Sequence, residues 1–471
     1  MAARGATAVL PPGSDAARSL GLGLGVVLGG AAIGALATQS PTLAVAAVVG
    51  VAFVWVAFRN LAAGLAFFVV LTFFERLPGS PTTGLTLLKA AGFVLALAWL
   101  AALASRRGAV PLLFRDHPWL AYAAVFFITW SLASTLWAED PVSARFETGR
   151  LAQNVLFFII VFTAISRSQH LIWVLGAYLG GAFLTAVVGL AGASSSEQFT
   201  PYADTSRLSG GISDPNELAA LLVPAIVIGA FMLAVTASPL WRWILGTVVL
   251  VNSLALFLTQ SRGGLLSLAV VVLITPFLAG PVRVRALVVI LCIAAIGIGY
   301  YSLVAPPEAL GHVTKFSVGS GTGREDLWRV SIQMFENHPL TGVGTGNFQV
   351  VEPRYALRNI NLPRVDLVVD TPKVAHNTYL HVLTELGIVG IVAFGGMILG
   401  ALAIAWRAIQ ALARRGELRM EILGRGVLIG TIGMLAAYVF ITAQYEKQLW
   451  LLLGVCAALS TLARAGETAE G

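Results

Sequence analysis

The stretch Trp243–Gly280, WILGTVVLVNSLALFLTQSRGGLLSLAVVVLITPFLAG, decides the class of fold. Its two apolar runs, 243–259 and 263–280, each approach the roughly 20 residues that cross a bilayer as a helix, and the corner between them holds one charge, Arg262. Backbone N–H and C=O groups in hydrocarbon must find partners within their own segment, so runs of this kind form helices. The same signal repeats outward along the chain, as fourteen stretches at about 20–37, 42–58, 61–75, 85–104, 119–138, 151–166, 171–193, 216–235, 243–259, 263–280, 286–305, 380–406, 426–443 and 448–463. Composition agrees: of 471 residues 57% are hydrophobic and 11% charged, against roughly 45–50% and about 25% in soluble domains. The chain is expected to be an all-α polytopic integral membrane protein of about 12–14 transmembrane helices. Cys292 and Cys456 both lie in apolar runs without a CxxC or Cys/His spacing, which excludes a disulfide framework and structural zinc. The net charge of +7 does not point to nucleic acid, because in a membrane protein Lys and Arg are first sorted by side.

If the N-terminus is cytoplasmic and every stretch crosses, sixteen basic residues fall inside, and seven fall outside in short loops. That asymmetry is the positive-inside pattern of a multi-pass protein of the cytoplasmic (inner) membrane. The run 20–37 lacks an A-x-A site and is read as a retained helix. The division is then residues 1–305 with helices 1 to 11 and short loops, 306–375 as one large outer (periplasmic) loop containing short helices, and 376–471 with the C-terminal transmembrane helices. In the large loop, Thr322-Gly-Arg-Glu325 is a capping box, and Leu327, Val330, Ser331, Met334 and Phe335 recur at helical spacing, predicting an amphipathic helix against the membrane face. Gly342-Val-Gly-Thr-Gly346-Asn347 lacks the Lys-Ser/Thr of a phosphate loop and reads as a turn.

Charges near membrane depth raise a functional question. Arg262 either snorkels at a helix end or, beside Gly263 and Gly264, leaves room for a large anion to approach a fixed guanidinium. Asp214 and Glu217 of Asp214-Pro-Asn-Glu217 read first as helix-opening residues, whereas no capping argument requires Arg207. Arg145 and Arg150 fall in the outer loop after the fifth stretch, and Arg324 precedes the loop helix. Guanidiniums converging from separate outer loops would suit a pyrophosphate. His376, where the large loop re-enters the membrane, is either a structural imidazole or a base near neutral pH. No metal-ligand spacing occurs in the outer loops, so no metal or other cofactor is expected.

Four features together resemble the O-antigen ligase superfamily, which includes O-antigen and exopolysaccharide polymerases. They are Ser261-Arg-Gly-Gly264 with Leu266; Asp214-Pro-Asn-Glu-Leu-Ala219; Gly323-Arg324 through Trp328 to Gly342-Val-Gly-Thr-Gly-Asn-Phe348; and His376-Asn377, nine residues, then Gly387-Ile-Val-Gly390. The resemblance implies a metal-independent GT-C-like membrane glycosyltransferase acting at the periplasmic face. Its donor would be a glycan linked to undecaprenyl pyrophosphate and its acceptor a lipid A-core, another glycolipid or a glycan, with a second lipid-linked repeat unit as acceptor in a polymerase. It implies His376 as the base and Arg262 as the second catalytic residue. Arg207, Arg145, Arg150, Arg324 and Asn377 would bind substrate. A lipid-linked glycan transporter is the competing class; it would carry ionisable residues at mid-membrane in repeated halves, whereas the charges here gather on one face.

Overall fold

A computed structural model of the protein describes residues 38, 40–74, 87–105, 111–192, 207–209, 214–305, 324–358 and 373–465. The helices are α1 (Pro41–Arg59), α2 (Leu61–Thr72), α3 (Leu87–Ser105), α4 (Leu113–Asp116), α5 (Pro118–Ala133), α6 (Pro141–Ala164), α7 (Ser168–Gly192), α8 (Pro215–Val235), α9 (Pro239–Leu258), α10 (Arg262–Leu278), α11 (Arg283–Leu303), α12 (Arg324–Asn337), α13 (Phe348–Arg358), α14 (Thr378–Arg414), α15 (Leu418–Ala437) and α16 (Lys447–Ala465). Among the described residues there is no strand, and eight helices are long and apolar enough to cross a membrane. The protein is an all-α, multi-pass membrane protein. Every apolar stretch from 42–58 onward falls on a helix; the stretch 20–37 and residues Thr322 and Gly323 of the capping box lie outside the described residues.

Helix α15 is the hub, packed against α8, α10, α14 and α16. Its Gly426, Gly430 and Gly433 allow the approach: a Cβ would lie 2.6 Å from Phe231 at Gly426, 3.3 Å from Pro224 at Gly430 and 2.7 Å from Val271 at Gly433. Small residues at such crossings let backbones close where lipid supplies no hydrophobic drive between helices. At the opposite end from His376, Arg425 pairs with Glu421 at 2.8 Å and donates to the Leu278 carbonyl at 2.6 Å, tying α15 to the end of α10. Two sequence boundaries need correction here. The segment Arg407–Arg425, which falls between the apolar stretches 380–406 and 426–443, is helix except for residues 415–417, because α14 runs on to Arg414 and α15 begins at Leu418. Arg145 and Arg150, read as loop residues, lie in the first turns of α6, which Asp140 caps by accepting from the Val142 and Ser143 amides.

Helix α14 spans 37 residues, about 55 Å at 1.5 Å per residue, and breaks at Gly387 (φ 67°, ψ −167°). The break frees three carbonyls, and each finds a donor elsewhere. The Val343 amide donates to Thr384 O at 3.0 Å, the Gly344 amide to Glu385 O at 2.8 Å, and the Trp130 indole to Leu386 O at 3.0 Å. On the far side of the break the Ile388 amide donates to Pro339 O at 2.9 Å. The 342–347 segment is thus the turn expected, with the amides of Val343 and Gly344 paired to α14. Gly342 and Gly344 both have positive φ. The amphipathic α12 turns Val330 and Met334 into a small core with Val343, Phe348, Val351, Ala356 and Ala375, so its apolar side packs on protein rather than on the membrane face.

The Gly387 conformation is open to glycine almost alone, and a Cβ there would lie 2.2 Å from Leu340 O. Gly387→Ala should lower stability by about 3 kcal/mol or more, read as a fall in thermal midpoint of the detergent-purified protein. Gly395→Ala, on the same helix with nothing within 4 Å of its Cβ, should be neutral or slightly stabilising. Equal midpoints for the two variants would refute the argument.

Candidate functional site

Four helices, α8, α10, α12 and α14, begin at the same end of the bundle. Asp214 caps α8, accepting from the Asn216 amide at 2.7 Å; Ser261 caps α10, accepting from the Gly264 amide at 3.2 Å; Asn377 caps α14, accepting from the Tyr379 and Leu380 amides at 3.0 and 3.1 Å. Helix N-termini carry unsatisfied N–H groups and a partial positive charge. Three guanidiniums stand among them. Arg207 donates through Nε to Thr259 O at 2.9 Å and through Nη2 to Asn216 Oδ1 at 3.1 Å. Arg262 is the first residue of α10 and Arg324 the first of α12. Arg324 feels the charges of Asp214, Arg207 and Arg262, which puts all four in one electrostatic group.

His376 precedes the α14 cap with φ 47°, a left-handed conformation uncommon for a side chain of its size. Bonds on both sides hold it there. The Trp328 indole donates to Ala375 O at 3.0 Å, and the Thr378 amide donates to Tyr438 O at 2.9 Å. Trp328 itself packs against Phe440, ring centroids 6.5 Å apart. Burial holds the imidazole pKa below its ordinary value of 6.5, Arg324, Lys373 and His381 push the same way, and Asp214 opposes them. The histidine is therefore neutral near neutral pH, with its lone pair available to a proton.

The structure thus brings Arg207, Arg262, Arg324 and His376 together and gives Asn377 the task of starting the helix behind the histidine. It places Arg150 differently, with Nη1 on both Glu147 carboxylate oxygens at 3.0 and 2.9 Å and the guanidinium 4.4 Å above the Tyr445 ring. Arg145 is exposed on the same turns of α6. Gly263 and Gly264 do not leave open room for an anion: a Cβ on the first would lie 2.9 Å from Phe440 and on the second 2.7 Å from Ala219. Their space is filled by packed side chains. Sequence reasoning took Asp214 for a cap, which it is, without its closeness to Arg324 and His376. It missed Asn216 and the anchoring role of Trp328, whose signals are contacts between elements far apart in sequence.

Such a group, three guanidiniums and a neutral histidine gathered at one end of a multi-pass helical protein, has the chemistry to receive an anion. Residues 245–395 match the family model described as O-antigen ligase. Over these residues the protein is similar to the O-antigen ligase and polymerase superfamily, whose members are membrane glycosyltransferase-like enzymes, and the match supports a function of that type. The match contains Arg262, Arg324, His376 and Asn377, and stops short of Arg207 and Asn216. No curated protein matches the chain.

Trp328→Phe keeps a ring on Phe440 and removes the donor to Ala375 O. It should cost about 1 kcal/mol of stability, and loosening α12 should let the His376 pKa rise towards 6.5. Ring-proton NMR titration in detergent measures this. An unchanged pKa would show that Trp328 does not position the histidine.

Proposed function

We propose that the protein transfers a glycan from undecaprenyl pyrophosphate to an acceptor hydroxyl at the outer face of the cytoplasmic membrane. The observation that carries this reading is the convergence of Arg207, Arg262 and Arg324 with four helix N-termini around the neutral His376. His376 takes the proton from the acceptor hydroxyl as its oxygen attacks the anomeric carbon. The bond from that carbon to the pyrophosphate oxygen breaks, and its electron pair leaves with the pyrophosphate. The direct displacement inverts the anomeric centre. Negative charge grows on the departing group where fixed guanidiniums and helix N-termini, poorly exposed to water, already point, so little reorganisation is needed during reaction. Arg262 acts in that stabilisation; Arg207 and Arg324 bind the donor phosphates, and Asn377 supports the base from behind. Arg145 and Arg150, expected to help hold the pyrophosphate, are given no part in it, since Arg150 is held by Glu147 and Tyr445 on α6 and α16's approach. A lipid A-core or another surface glycan serves as acceptor in a ligase, and a second lipid-linked unit in a polymerase.

His376→Gln can keep a hydrogen bond but is no useful base. Donor binding should survive while transfer falls by about 10² or more, and the wild-type acid limb should lie below pH 6.5, the ordinary imidazole value. Near-normal transfer by this variant ends the base assignment. Orientation is tested separately, in a Cys292→Ser background. An impermeant maleimide on intact spheroplasts should label Glu336→Cys, exposed on α12, and spare Arg419→Cys, exposed at the start of α15. The opposite pattern inverts the site.

A further inference from the structure

The corner between α9 and α10 is short and strained. Gln260 has φ 49°, and two bonds fasten the corner to residues 207 and 208: Arg207 Nε donates to Thr259 O at 2.9 Å, and the Leu208 amide donates to Leu258 O at 3.0 Å. A third fastening comes from α8. Asn216 Oδ1 accepts from Arg207 Nη2 at 3.1 Å and from Ser261 Oγ at 2.8 Å, while Asn216 Nδ2 donates to Asp214 Oδ1 at 2.9 Å. The carboxamide orientation follows from its partners. A guanidinium can only donate and a carboxylate only accept, and the Ser261 hydroxyl already accepts from Gly264 N, which leaves its proton for Asn216.

One side chain therefore grips Arg207 directly and Arg262 through the cap residue before it. We propose that Asn216 is a positioning residue that fixes the spacing of the Arg207 and Arg262 guanidiniums so that the site prefers a lipid pyrophosphate to a lipid monophosphate. The inference rests on the donor reading above and adds to it the source of its selectivity. The amide matters because it is neutral. A carboxylate at this position would also accept from Arg207, but it would form an ion pair that offsets the charge the phosphates need, and it would face Asp214 without a proton to offer.

The test is binding of farnesyl pyrophosphate and farnesyl monophosphate to the purified full-length protein in detergent. Wild type should favour the pyrophosphate, and Asn216→Ala should weaken its binding about ten- to a hundredfold while monophosphate binding and the His376 titration change little. Asn216→Asp should lose the preference as well, although it keeps both acceptor contacts, and it decides the matter should Asn216→Ala fail to fold. Variants that retain the wild-type preference overturn the inference and leave the donor reading standing, and so does a loss that is equal for both probes, since that is general damage to the site. A wild type that binds neither probe removes the donor reading and the inference with it.

Discussion

The interrupted helix α14 is the constraint on which the half of the molecule that holds His376 depends. An α-helix that breaks in or near a membrane exposes carbonyls that cannot be left unpaired at low cost. Here the break at Gly387 hands Thr384 O and Glu385 O to the amides of Val343 and Gly344, and Leu386 O to Trp130. The turn at 342–347 is thereby fixed to α14. It is fixed to α5 and α6 as well, since the Thr345 amide donates to Ser134 Oγ at 3.0 Å and Ser143 Oγ to Gly346 O at 3.0 Å. With the turn anchored, α12 and α13 have a floor to pack on, and α12 brings Arg324 and Trp328 to His376. Gly387 of the His376–Gly390 pattern is thus architectural: it lets the large loop be built into the helix that follows the histidine.

That explains which parts of the protein could be read from sequence. The membrane helices were legible because hydrocarbon permits few alternatives, and a run of apolar residues between polar corners has one solution. Their ends were legible only where the hydropathy changes with the helix. Helix α6 starts at Pro141, ten residues before its apolar stretch, because Asp140 caps a polar first half; α15 takes in Glu421 and Arg425 because they neutralise each other within one turn. Charge alone had marked both segments as loops. Of the site, the arginines and His376 stood out as charges with no cytoplasmic explanation, whereas Asn216, Asp214 and Trp328 gain meaning only from partners 45 to 47 residues away or across the bundle.

Electrostatics joins the two halves of the proposed chemistry. Burial disfavours a proton on His376, and so does Arg324, one of the three guanidiniums that would draw in a pyrophosphate, so a group that attracts the donor also helps keep the base neutral beforehand. Once the pyrophosphate is seated, its negative charge offsets the arginines, and the imidazolium formed by taking the acceptor proton is better tolerated than in the empty site. When the leaving group departs, the uncompensated field of Arg324 and Lys373 returns, with Asp214 the nearby counterweight. The proton is then driven from the imidazole to water or to the departing phosphate. On this reading Arg324, which holds the substrate, also helps reset the base, and water or the departing phosphate is the only proton acceptor required.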